Sequence, residues 1–152
     1  MDVRGVVHAL RKIHRSLADP GVLLDLHPEP MNSRAEVARE SRIELLGELE
    51  EAEDIRDIRL ARAQLDLVEG QGYFLTERQV QFDMVEHFPS VEDWLEWRTE
   101  QCATGVIQQE LLDTARRLLA RGGTEIIIRE PIRASLMRRM PLTNLTPPAD
   151  EV

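Results

Sequence analysis

The stretch Ile13 to Pro28, IHRSLADPGVLLDLHP, constrains this chain more than any other. Upstream of it, Val3, Val6, Val7, Leu10, Ile13 and Leu17 recur at helical spacing and form one apolar stripe. Asp19-Pro20-Gly21 ends that helix, because Pro cannot continue it and Gly frees the backbone to turn. Val22, Leu23, Leu24 and Leu26 then make a short, nearly continuous apolar run. A helix followed by such a run predicts a strand buried on both faces, as in a parallel sheet. His27-Pro28-Glu29-Pro30 breaks it.

The rest of the chain continues in alternating elements. Residues 31 to 49 are rich in Ala, Arg and Glu, which suits a helix. The alternation of Ala35 and Val37, then of Ile43, Leu45 and Gly47, permits a hairpin turning near Glu40-Ser41, and the hairpin is the preferred reading. From about Glu51 a helical period returns through Ile55, Ile58, Ala61, Leu65 and Val68, and stops at Gly70 and Gly72. Tyr73 to Phe88 alternates. Phe74, Thr76, Arg78, Val80, Phe82, Met84 and Phe88 share the face expected to be core, while Glu77, Gln79, Gln81 and Asp83 share the wet face. Ser90 with Asp93 three residues on resembles a capping box for a short helix reaching about Cys102. A second helix carries Leu111, Leu112, Ala115, Leu118 and Leu119. A last strand runs from Thr124 to about Met140, with Ile126, Ile128, Ile132, Ala134, Leu136 and Met140 on one face. Pro131 inside it implies a bulge or an unpaired edge. Residues 143–152 read as a loose tail.

Composition narrows the function. The 152 residues suffice for about one domain, and 42% hydrophobic with 31% charged residues is ordinary for a globular protein. A net charge of -9 argues against a nucleic-acid or anionic-membrane surface, each of which needs a basic face. The acidic run at 44–57 and the basic stretch Arg129 to Arg139 read as solvated faces. The lone Cys102 rules out an intrachain disulfide or a cysteine zinc site, and reads as a small buried hydrophobe. No apolar run approaches the roughly 20 residues that span a bilayer, and the N-terminus lacks a signal peptide's pattern. A cytoplasmic protein is the expectation.

The run Ile13-His14-Arg15-Ser16-Leu17 through Pro20-Gly21 into Val22-Leu23-Leu24 resembles the entry to the fifth strand of class I S-adenosylmethionine-dependent methyltransferases. Here Ala18-Asp19 precedes the Pro, and Val22 stands where that family has a second Gly. Gly72-Tyr73-Phe74 resembles the family's entry into its sixth strand, and 124–140 would be the seventh, antiparallel one. The likeness covers about residues 3–140 and implies the C-terminal half of that fold: a partial Rossmann-like α/β sheet of about three core strands with flanking helices and a possible extra hairpin. It implies one half-domain over 1–142, with a helical insertion at about 90–122.

In that family the cofactor is held mostly by the first half of the sheet, through a Gly-rich turn and an acidic residue. No such turn occurs here, so this chain alone is not expected to bind S-adenosylmethionine; a partner chain would have to complete the site. The function expected is a non-catalytic module that forms a homodimer or binds a protein partner through an edge strand exposing Val22, Leu24 and Leu26. The alternative is a split half of a methyltransferase completed by another chain.

Few residues suggest chemistry of their own. Alternation puts Asp25 and His27 on one strand face at a strand's carboxyl end, with Glu29 nearby; a His with two carboxylates suits a general base or a metal. A structural role for these three is the commoner outcome. His8, His14, His27 and His87 lack metal-ligand spacing. Trp94 and Trp97 lie on the inserted helix, where the resemblance puts an acceptor pocket or an interface; Trp94 also fits a core stripe.

Overall fold

The computed structural model describes residues 3–101 and 106–141. The elements in chain order are α1 (Val3–Ser16), β1 (Val22–Pro28), β2 (Arg34–Arg39), β3 (Arg42–Glu48), α2 (Ala52–Gly70), β4 (Phe74–Phe88), α3 (Val91–Glu100), α4 (Gln109–Ala120) and β5 (Glu125–Arg139). The strands pair in the order β1-β5-β2-β3, with β4 also on β5. The sheet is open and antiparallel. Cys102 and the tail at 143–152 lie outside the described residues.

Two sequence expectations change here. The strand at Val22 is not in a parallel sheet: Arg139 N donates to the Gly21 carbonyl at 2.8 Å, which starts an antiparallel pairing of β1 with β5. Nor is it buried on both faces. Leu23, Asp25 and His27 are half-buried, whereas Val22, Leu24 and Leu26 are 53%, 60% and 55% exposed. A continuous apolar run describes this strand as well as a parallel core strand, because hydrophobicity alone does not say what packs on each face.

The preferred reading of 34–49 as a hairpin is what forms. β2 and β3 pair antiparallel, with Arg39 opposite Arg42, so Glu40-Ser41 is a two-residue turn. Glu40 sits at φ 49°, at the turn position where a left-handed residue is needed.

The chain divides into two compact units. One contains the described residues up to Pro28, Asp57–Gln81 and those from Arg133 onward. Its core is Leu10, Val68, Phe74 and Met137, with Val6, Val7, Leu17, Leu23, Leu65 and Tyr73 packed against them. The helical stripe of α1 thus finds its partner on the sheet. His14 lies within this packing, fully buried. Its Nε2–H donates to the Met140 carbonyl at 2.8 Å, and its ring stands edge-on to Tyr73 and Phe74. It is a packed histidine.

The second unit contains Glu29–Arg56 and the described residues of Phe82–Ile132. Ala35, Val37, Leu49, Phe88, Val91, Trp94, Leu111, Leu112, Ala115, Ile126 and Ile128 form its core. β2 pairs with β5 from Arg34↔Arg129 to Ala38↔Glu125. Pro131 lies just past that ladder, and its carbonyl accepts from Glu29 N at 2.7 Å. Ser90 caps α3 as the sequence suggests: its hydroxyl accepts from Asp93 N at 3.1 Å.

The long strands depart from the faces predicted for them. On β4, Phe74 and Phe88 are buried, but Val80, Phe82 and Met84 are 42%, 46% and 42% exposed. On β5, Arg133, Ser135 and Met137 are buried, while Ala134 and Leu136 are only half-buried. On β4 the wet residues Glu77, Gln79, Gln81 and Asp83 are exposed as well; on β1 and β5 the covered side in the first unit carries the polar side chains.

Candidate functional site

The covered side of the first unit is polar because a cleft lies there. Asp25 and His27 reach it from β1, Thr76 and Gln79 from β4, and Arg133, Ser135 and Met137 from β5. α2 supplies Arg62, Leu65, Asp66 and Glu69, a row repeating every three to four residues along one helix face. The cleft is small, with a volume of about 30 Å³, and opens to solvent.

Its centre is a hydrogen-bonded pair. His27 Nδ1 lies 2.7 Å from Asp25 Oδ2, with the two side chains only 17% and 19% exposed. They stand two residues apart on a strand, which puts both on one face. A carboxylate only accepts, so the bonded ring nitrogen carries the proton and the neutral ring keeps its lone pair on Nε2. That Nε2 is buried and has no hydrogen-bond partner among the described residues. Around the pair, Gln79 Nε2 donates to Ser135 Oγ at 3.0 Å, and Glu69 accepts from Thr76 N and Oγ1 at 2.7 and 3.2 Å.

The residues singled out from the sequence fall in different places. Asp25 and His27 come together. Glu29 is buried in the second unit and does not line the cleft. Trp94 is a core side chain of the second unit with no exposed surface, so it offers an acceptor nothing to stack on. Trp97 packs partly buried against the same core, its ring 5.4 Å from that of Phe88. His8 is exposed, and His87 is half-exposed and pairs with Glu125 at 3.2 Å. Val22, Leu24 and Leu26 are exposed on β1, where a strand buried on both faces was expected. The polar row on α2 was open to detection from its spacing. Gln79 and Ser135 were not, since nothing local says that they meet.

A second group of carboxylates lies in the other unit. Burial raises the pKa of Glu130, and the charges of Glu51, Glu86 and Asp54 raise it further. Burial also raises Glu86. No group of three or more His, Cys, Asp or Glu among the described residues is arranged to hold a metal. The consequence of this group is for stability. A carboxyl whose folded pKa is raised favours folding below its unfolded value and loses that contribution as pH rises through the folded one. Unfolding free energy should therefore fall as pH climbs upward from about 4.5. Glu130→Gln should lessen this fall and be more stable than the parent at neutral pH. Urea midpoints measured for both chains from acid to neutral pH check it; equal pH slopes would refute it.

No protein-family model matches the chain, and no curated protein or solved structure matches it significantly. No helix among the described residues is long and apolar enough to cross a membrane.

Proposed function

We propose that this chain is an association module that forms a homodimer through β1. The observation that carries this is the bare face of that strand: Val22, Leu24 and Leu26 are each more than half exposed at the end of the sheet order. On the same side of β5, Ala134 and Leu136 are half-buried and extend the apolar surface. An edge strand also presents a row of backbone N–H and C=O groups, and edges left apolar and uncharged invite pairing. The exposed row on β1 carries no charge of its own.

Magnitudes say that both features are needed. Covering the exposed half of each side chain contributes about 1 kcal/mol, or about 6 kcal/mol for six side chains in two copies. Micromolar association requires about 8 kcal/mol, so strand pairing has to supply the remainder. Light scattering on a size-exclusion column should give twice the 17.4 kDa chain mass at micromolar concentration. Leu24→Glu should return the single mass. A parent chain that stays monomeric under those conditions ends the proposal.

A second reading is favoured by the strand order. β5 pairs with β1, β2 and β4 in an antiparallel sheet, and the methyltransferase resemblance expects its last strand to be antiparallel. In that reading the bare face belongs to a half-fold completed by another polypeptide, which would bring the cofactor-binding turn. Calorimetric titration of the purified chain with S-adenosylmethionine separates the two. One-to-one binding would favour the enzyme reading over the association module.

A further inference from the structure

The Asp25–His27 cleft lies on the opposite face of β1 from the association surface and calls for its own explanation. Buried polar groups cost stability unless they are paired, and this unit's packing has no need of an imidazole and a carboxylate beneath α2. Asp25 spends its hydrogen bond on Nδ1 and so holds His27 in the tautomer whose Nε2 is a proton acceptor. An orphaned buried acceptor costs about 1–3 kcal/mol. The nitrogen itself is buried, and its residue lines the open cleft. A base oriented by a carboxylate, with its second nitrogen unpaired among the described residues, is the arrangement that general-base chemistry requires.

We infer that the cleft is a general-base site for a small polar molecule presenting an O–H group, with His27 Nε2 as the proton acceptor and Asp25 as the positioning residue. Ser135 and Gln79 supply further polar surface for such a molecule. In the reaction that the site supports, Nε2 takes the proton of a hydroxyl or water while its oxygen bonds to an electrophilic carbon. With 4-nitrophenyl acetate as probe and water as nucleophile, the bond from the acyl carbon to the nitrophenyl oxygen breaks. Acetic acid and 4-nitrophenolate leave, the acid ionises to acetate, and its proton and that of the imidazolium pass to solvent. No other reactant is needed.

The probe is used on the full chain carrying His8→Gln and His87→Gln, which removes the exposed histidines as background. Adding His27→Gln should lower the second-order rate about tenfold or more, since a positioned general base contributes at least that much. Asp25→Asn should lower it as well and should change the tautomer. Long-range proton–nitrogen spectra of the parent chain read that directly: in the neutral ring of His27, Nδ1 carries the proton and Nε2 is bare, with the preference weakened in Asp25→Asn. An unchanged rate in a folded His27→Gln chain overturns the inference. If that variant does not fold, a parent spectrum with the proton on Nε2 overturns it equally. Neither readout depends on whether the chain dimerises.

Discussion

Replacing Trp94 by alanine should remove about 3–5 kcal/mol of stability, the largest loss expected from any single substitution here. Trp94 has no exposed surface and is among the largest fully buried side chains of the second unit's core. Its truncation leaves a void that the neighbouring side chains refill only in part. Domains of this size are stable by about 5–15 kcal/mol, so this is a large fraction of the total. The indole also carries a flaw: Nε1 is buried without a hydrogen-bond partner among the described residues. Trp94→Phe discards that unsatisfied donor, which recovers part of the packing it gives up. Phenylalanine should therefore cost far less than half as much as alanine. Urea unfolding followed by circular dichroism at 222 nm measures both. Equal losses for the two variants would mean that the indole's nitrogen is not the burden described.

Gly21→Ala should cost about 1–3 kcal/mol, the usual range for forced overpacking. A Cβ at Gly21 would lie 2.4 Å from the Ala18 carbonyl oxygen and 2.8 Å from Leu17 Cβ. The obstacle is backbone in the same turn, so no rotamer change relieves it. The displacement would pass into β1, because the Gly21 carbonyl anchors that strand to Arg139 N. Asp25 and His27 would move with it. Gly70, at the end of α2, is the control: a Cβ there meets nothing within 4 Å. Gly70→Ala should be neutral or stabilising by up to about 1 kcal/mol, since Ala is the better helix residue. The same denaturation series ranks the two, and a Gly21→Ala chain as stable as Gly70→Ala would refute the account of the turn.

Much of the candidate site was legible in pieces. The period of two puts Asp25 and His27 on one face of β1, and the helical period aligns Arg62, Asp66 and Glu69 on α2. What joined them was the register between strands. Gln79 and Ser135 are 56 residues apart in sequence, and their hydrogen bond exists only because β4 lies on β5. Glu29, two residues beyond His27 in the chain, went the other way: beyond Pro28 it is buried in the second unit. Nearness in sequence across a proline says little about nearness in space.

The residues by themselves determined the order and type of the described elements outside 34–49, where both a helix and a hairpin suited the sequence. They did so through interactions that span a few positions: the stripe on α1, the Pro-Gly stop, the Ser90 cap. Whether Val22 to Leu26 would run parallel or antiparallel, and which of its faces would be covered, was left open. Those choices rest on pairing between segments more than a hundred residues apart, where backbone hydrogen bonds form equally well in either direction. Only the tertiary structure decided them. It set β1 antiparallel on β5, placed Asp25 and His27 in the cleft with α2, and left Val22, Leu24 and Leu26 bare.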